Sequence, residues 1–483
     1  MCERGRWSDT GARAPQELTT YLGSIGNARF DLRAACARWA GTFSKRHRSA
    51  ASNSPHRNQV PLRLIMFAPE GVSQRELVTW LRSTGYVRKI ERTRNFAVVT
   101  FSKFMPVPRM IEMLNSPQLG YAEPDCDGPD YLTTSVELPP EMAIASRCWQ
   151  RAARATFPND PCMDELWGHA KIGWDSSVAA RSLPKLVAVL DSGIDASHED
   201  LTRNVMLRIG DRELPHSQGR KLNARCATSG RCFPHGTEMA GTIGGRMDNG
   251  IGVAGVAPNS RLLPIVISRV EHGLLGRLST ISEGIDAAVQ DDADVINISA
   301  KWPVDSRAIS EAILAAVGGA AETRRLVVTG YATSLDSDDS VREYFPSRYR
   351  CLPGVVAAVP TDMRGHELFN PRGHPDANDG RIQAPGVDIV VTTTENSERG
   401  YALSGAAGAS SAAAYVSGVV ALVWGSPPLN TCDAQQIKRL LFCRSKSSDS
   451  TRYPWIHVDF LRELATLGPG ATCGTAMAAL GCN

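Results

Sequence analysis

The sequence predicts an α/β protein: a doubly wound parallel sheet preceded by a smaller α+β domain. Three observations carry this. Short apolar runs such as Leu186-Val-Ala-Val-Leu190 and Leu326-Val-Val-Thr329 have the length and composition of strands buried on both faces. Helical stretches separate them, as in a parallel array with crossover helices. Asp191 closes the first of these strands, at the carboxyl end where open α/β sheets place their sites.

In chain order, residues 1–60 are rich in Arg and Ser, with Lys45-Arg-His-Arg48, and read as a flexible basic leader. A domain over 61–130 follows. Leu62–Phe67 reads as a strand, and Ser73-Gln-Arg-Glu76 as a capping box opening a helix over Leu77–Leu81. Strands at Tyr86–Ile90 and Asn95–Phe101, a helix over Pro108–Leu114 and a strand at Gly120–Asp125 complete the order β-α-β-β-α-β, the ferredoxin-like pattern. Residues 131–157 read as a linker, where Pro139-Pro140 and Arg151-Ala-Ala-Arg154 suit an exposed, protease-accessible loop. The main domain spans 158–444. Its strands are expected at Leu186–Leu190, Leu262–Ile267, Ala293–Ser299, Leu326–Thr329, Val355–Val359 and Ile382–Ile389, with a helix over Ser282–Val289. Residues 445–483 give no clear element and read as a disulfide-tied tail.

Three stretches carry chemistry. Asp191-Ser-Gly-Ile-Asp195 ends a strand. Phe233-Pro-His235-Gly-Thr, followed by small apolar residues, places an imidazole at the mouth of a buried helix, suited to a general base. Gly405-Ala-Ala-Gly-Ala-Ser410 is a glycine-rich turn that presents Ser410 at the start of a helix of small residues. Taken singly, a histidine beside an apolar helix is more often structural; the three together point to nucleophilic catalysis.

In this order, Asp191, His235 and Ser410 resemble the triad motifs of the subtilisin-like serine peptidases, the subtilases, and differ from the chymotrypsin and α/β-hydrolase orders. The His235 stretch continues through Asn249-Gly-Ile-Gly-Val-Ala-Gly-Val-Ala-Pro258, a specific match. The serine motif departs from the family's Gly-Thr-Ser-Met-Ala-x-Pro, reading Gly408-Ala-Ser410-Ser-Ala-Ala-Ala414, while Gly418 fixes the register on Ser410. Gly474-Thr-Ala-Met-Ala478 repeats the pattern without a hydroxyl at the nucleophile position. The resemblance implies a subtilisin-like fold, a serine endopeptidase made as a zymogen, protein or peptide substrates, and residues 61–130 as a propeptide acting as intramolecular chaperone and inhibitor. It also implies calcium as a possible cofactor, although no acidic loop has the spacing of a site, and Asp195 and Asp200 read equally well as loop residues.

Two departures touch the expected site. Where the family carries an oxyanion-hole asparagine, this chain has Tyr331, whose hydroxyl is longer than an amide. After Ser299, the family's Leu-Gly-Gly edge of the specificity pocket is replaced by Ala300-Lys301-Trp302, which narrows or closes it. These substitutions support an alternative reading: a catalytically weak or inactive binding protein on the same scaffold.

Composition bounds the rest. At 483 residues, 42% hydrophobic and 21% charged, the chain has the make-up of a globular protein. A net charge of +3 gives no indication of a nucleic-acid partner, and no apolar run has the roughly 18 residues of a membrane span. Twelve cysteines, several close in sequence (Cys226 with Cys232, Cys432 with Cys443, Cys473 with Cys482), suggest disulfides whose pairing the sequence does not give. That favours secretion or a vesicular lumen, whereas Met1–Trp7 opens with charge rather than the apolar core of an export signal.

Overall fold

The computed structural model describes residues 63–102, 107–126, 148–206, 208–209, 212–213, 234–269, 274–302, 305–318, 325–335, 341–367, 380–394, 400–404, 408–446, 453–468 and 470–482. The basic leader and Pro139-Pro140 lie outside these residues.

The N-terminal domain comprises β1 (Arg63–Phe67), α1 (Gln74–Ser83), β2 (Val87–Arg92), β3 (Ala97–Phe101), α2 (Val107–Leu114) and β4 (Tyr121–Pro124), with an antiparallel sheet in the order β2-β3-β1-β4. This is the ferredoxin-like arrangement expected. The capping box forms: Ser73 N–H donates to Glu76 Oε2 at 2.8 Å, and Glu76 N–H to Ser73 Oγ at 3.3 Å. Alternation along β1 decides what each face meets. Leu64 and Met66 pack with Leu77, Leu81, Met110 and Leu114 of the domain's own helices. Ile65 and Phe67 point the other way, into a core shared with the larger domain.

The larger domain contains β5 (Leu186–Asp191), α3 (His235–Gly244), β6 (Arg261–Val266), α4 (Leu278–Gln290), β7 (Val295–Ile298), α5 (Arg307–Val317), β8 (Leu326–Gly330), β9 (Val355–Thr361) and β10 (Arg381–Pro385). These six strands form one parallel sheet in the order β10-β9-β8-β7-β5-β6. The sheet is covered on both faces. Val187 and Val189 of β5 face α3 and the later serine-bearing helix, whereas Ala188 and Leu190 face α4 and α5. From β5 the chain moves outward to β6, then returns to β7 on the opposite side of β5. The crevice at this reversal lies beyond the carboxyl ends of β5 and β7.

Two sequence expectations change. Ile382–Ile389 is not one strand: β10 ends at Pro385, and β11 (Ile389–Thr392) pairs antiparallel with β12 (Tyr401–Ser404) in a separate ribbon. Pro385 and Gly386 break the run, and Asp388 at φ 53° turns it. The segment after 445 is structured. It contains a 3₁₀ stretch, Asp459–Thr466, and a helix, Cys473–Ala479, which carries the Gly474–Ala478 look-alike of the serine motif into a packed position. Disulfides Cys432–Cys473 and Cys443–Cys482 tie this segment down, pairing across 41 and 39 residues rather than between near neighbours. Arg151 and Arg154 lie in a mostly exposed stretch without helix or strand. The Cys148–Cys162 disulfide closes this segment on the domain, and the two arginines pair with Glu165 at 2.6 Å and Asp164 at 3.1 Å.

Candidate active site

Asp191 is the last residue of β5 and is fully buried. Gly193, at φ 103°, lets the chain turn sharply away from the strand. The Asp191 carboxylate accepts from Ser192 N–H at 2.7 Å and lies 2.8 and 2.9 Å, through its two oxygens, from Nδ1 of His235. His235 opens α3. The close approach depends on the next residue: a Cβ at Gly236 would lie 2.2 Å from the Gly193 carbonyl oxygen and 3.1 Å from Asp191 Cβ. Gly236 N–H also donates to Ser192 Oγ at 3.0 Å, locking the helix start to the strand end. The phrases Asp-Ser-Gly and His-Gly-Thr are thus two halves of one junction.

Burial pushes the His235 imidazole down, and the charge and hydrogen bond of Asp191 outweigh it, so the net pKa is raised above 6.5. A general base must be neutral. Any activity that depends on His235 therefore falls as pH drops through a pKa above the ordinary histidine value. A profile of kcat/KM between about pH 5 and 9 should show its acidic limb inflecting there; an inflection well below 6.5 would contradict this electrostatic arrangement.

Ser410 is the second residue of α6 (Ala409–Gly425), a 17-residue helix buried at every position. Its run of Ala, Val and Gly follows from that burial. Gly418, for instance, would place a Cβ 2.7 Å from Val256. Ala414 and Tyr415, where the serine motif departs from the family, are both in the core, with Tyr415 Oη 3.3 Å from Nδ1 of His169. Reciprocal bonds fix the helix start over the end of β7: Ser410 Oγ donates to the Ser299 carbonyl and Ser299 Oγ to the Ser410 carbonyl, each at 3.4 Å. Behind them, Asn297 Nδ2 donates to Ser299 Oγ and Ser417 Oγ to Asn297 Oδ1, both at 2.9 Å. This ladder fixes the start of α6 over the carboxyl end of β7, the strand that pairs with Asp191's β5. The N-cap, Gly408, has no side chain to occupy the first-turn amides, whose dipoles favour negative charge.

The expected pocket residues are distributed differently. Tyr331 is buried against Ala357, Val359 and Tyr453, and its hydroxyl accepts from Arg381 Nη1 at 3.1 Å. Its partner is a buried arginine whose guanidinium also lies 4.4 Å from the Tyr453 ring. Ala300 and Trp302 are both fully buried in the core shared with α4 and α5. Lys301, between them, holds its ammonium 5.0 Å over the ring of Tyr344. Tyr344 was not anticipated. Its only sequence signal is an aromatic pair, Tyr344-Phe345, between β8 and β9.

Asp200, weighed as a calcium ligand, is fully buried, and burial pushes its carboxyl up to about 7 against hydrogen bonds that pull it down. Its oxygens accept from Asn249 Nδ2 at 2.7 Å, Val253 N–H at 2.9 Å and Tyr401 Oη at 2.9 Å. A calcium ion requires a shell of oxygen lone pairs, whereas these groups direct hydrogens at the carboxylate. Asp195 is a turn residue that accepts from Ser197 N–H and Oγ at 2.9 and 2.6 Å. The residues present do not fit calcium at either position, and no group of three or more His, Cys, Asp or Glu suited to a metal occurs among the described residues.

The subtilase family profile matches residues 185–452. The major intracellular serine protease of Bacillus subtilis is 33% identical over 251 residues, covering 52% of this chain and 70% of the relative. Subtilisin of Bacillus pumilus is 31% identical over 256 residues, covering 53% of this chain and 81% of the relative. Among solved structures, fervidolysin from Fervidobacterium pennivorans, described as a keratinolytic enzyme related to subtilisin, superposes with a TM-score of 0.63 at 22% identity, covering 86% of this chain and 62% of that one. That likeness concerns the fold. With the doubly wound sheet and the Asp-His-Ser order already in place, the matches lead to one conclusion: the chain belongs to the subtilase family of serine-type endopeptidases.

Proposed function

We propose that the protein hydrolyses peptide bonds with Ser410 as nucleophile, His235 as general base and then acid, and Asp191 as the group that orients and stabilises the imidazolium. The observation that carries this reading is the buried pair, with His235 Nδ1 held 2.8 Å from Asp191; Ser410, in the first turn of a buried helix bonded to the end of β7, supports it. In the reaction, Ser410 Oγ attacks the substrate carbonyl while His235 takes its proton. The acyl–serine intermediate forms as that proton passes to the leaving amine, and water then repeats the sequence in reverse. The Ser410 N–H lies where negative charge develops on the carbonyl oxygen.

We further infer that the N-terminal domain is a propeptide. Its last strand inserts two carboxylates into the larger domain: Glu123 accepts from Ser306 Oγ, Arg307 N–H and Ala308 N–H, and Asp125 from Ser279 N–H and Oγ. All eight described cysteines are disulfide-bonded, which supports maturation in an oxidising compartment. No helix among the described residues is long and apolar enough to cross a membrane.

The test is covalent. A fluorophosphonate probe should label the purified protein and leave its Ser410→Ala variant unmodified, with intact masses showing shortening only in the parent. Absence of labelling in a folded parent would abandon the peptidase reading, leaving the cleft as a binding site on the same scaffold.

A further inference from the structure

β7 and β8 are parallel neighbours, and past their carboxyl ends the chain continues as two buried or half-buried segments, residues 299–302 and 331–332. Residues 344–345 tie those segments together. Trp302 and Phe345 exchange two backbone hydrogen bonds of 2.9 Å, and Tyr344 N–H donates to the Ala332 carbonyl at 3.1 Å. The Tyr344 ring packs on Ala332 and on Ala409, the residue immediately before Ser410. The Lys301 ammonium lies 5.0 Å from the ring centroid. The Tyr344 carbonyl accepts from Ser347 Oγ at 2.6 Å, which fixes the backbone under the ring.

We propose that Tyr344 sets a size limit on the substrate, so that the residue whose carbonyl Ser410 attacks must carry a small, uncharged side chain such as that of Gly, Ala or Ser. The proposal rests on Ser410 being the nucleophile. In a productive pose the attacked carbon stands about 3–3.5 Å from the serine oxygen. The substrate side chain, which starts two bonds from that carbon, therefore comes within reach of the neighbourhood of Ala409, where the Tyr344 ring is packed. A methyl group adds little volume there; a benzyl or isobutyl group requires the ring to leave Ala332 and Ala409 and to give up the lysine on its face. A basic side chain would in addition meet Lys301, a like charge in a half-buried setting.

The experiment compares full-length protein with Tyr344→Gly and Tyr344→Phe on two fluorogenic peptides that differ only in Ala or Phe before the scissile bond. The parent and Tyr344→Phe should favour the alanine peptide. Tyr344→Gly should raise the Phe-to-Ala ratio of kcat/KM by about tenfold or more, the scale on which a pocket discriminates by size. If the glycine variant does not fold, Tyr344→Val should move the ratio in the same direction. A parent that cleaves the phenylalanine peptide as readily as the alanine peptide overturns the proposal, as does a folded glycine variant with an unchanged ratio. A small fluorophosphonate reports on Ser410 separately. A labelled parent with an unresponsive ratio rejects only the role of Tyr344, whereas an unlabelled parent removes the nucleophile on which the proposal depends.

Discussion

Replacing Asp191 with Asn is expected to lower kcat/KM by about 10⁴-fold without unfolding the protein. The carboxylate offers only lone pairs, and they are used by His235 Nδ1 and the Ser192 amide. With the proton on Nδ1, the other ring nitrogen carries the lone pair that a general base requires. An asparagine of the same shape turns one position into an NH₂ donor. Its best partner is an imidazole with the lone pair on Nδ1 and the proton on the far nitrogen, the tautomer that cannot accept from serine. The substitution also removes the charge that raises the histidine, so the acidic limb of the pH profile should move down along with the loss of rate. The asparagine fits the same buried space, so the thermal midpoint should change far less than turnover. Steady-state kinetics on a peptide substrate, paired with a melting curve, checks both; a fall of less than about tenfold in kcat/KM would show that the pair does not carry the chemistry assigned to it.

The parts of this site legible in the sequence are those in which backbone geometry restricts residue type. Gly193 and Gly236 are required by a turn with positive φ and by a close contact, respectively, and they flank Asp191 and His235. The small residues of α6 follow from a helix enclosed on every side. The pocket was less legible because it depends on side-chain direction at strand ends, where a shift of one residue exchanges the two faces of a sheet. Tyr331 falls on the face of Ala357 and Val359 and finds Arg381, a partner fifty positions away. Trp302 is drawn into the core by its backbone pairing with Phe345, a contact that no local pattern announces. Helix α5 was absent from the sequence reading. Its first-turn amides are satisfied in part by Glu123 of the other domain, so its start signal is split between distant parts of the chain.

That division of labour leads to the second large effect, on the inhibitory role proposed for the N-terminal domain: a double Glu123→Ala, Asp125→Ala substitution should weaken its inhibition of the larger domain by about 10²-fold. Glu123 is fully buried and accepts at 2.8, 2.9 and 3.3 Å from Ser306 Oγ, Arg307 N–H and Ala308 N–H at the start of α5. Asp125, also fully buried, accepts from Ser279 N–H and Oγ at 3.0 and 2.9 Å at the start of α4, whose N-cap residue Arg277 provides no side-chain cap. Each carboxylate therefore acts as a helix cap supplied in trans and lies at the positive end of a helix dipole. Losing a cap costs about 1–2 kcal/mol, so losing both amounts to about two decades of affinity. Asp125 also holds Arg63 at 2.5 Å, and losing that ion pair favours the larger end of that range. The apolar part of the interface, with Ile65, Phe67 and Phe96 against the larger domain, is untouched, so docking should weaken rather than vanish. The measurement is inhibition of the processed enzyme by a separately produced fragment of residues 61–130, wild type against the double variant, with circular dichroism to confirm that the fragment's own core is intact. Equal inhibition by the two fragments would mean that the helix caps are incidental and that the apolar face alone holds the domain in place.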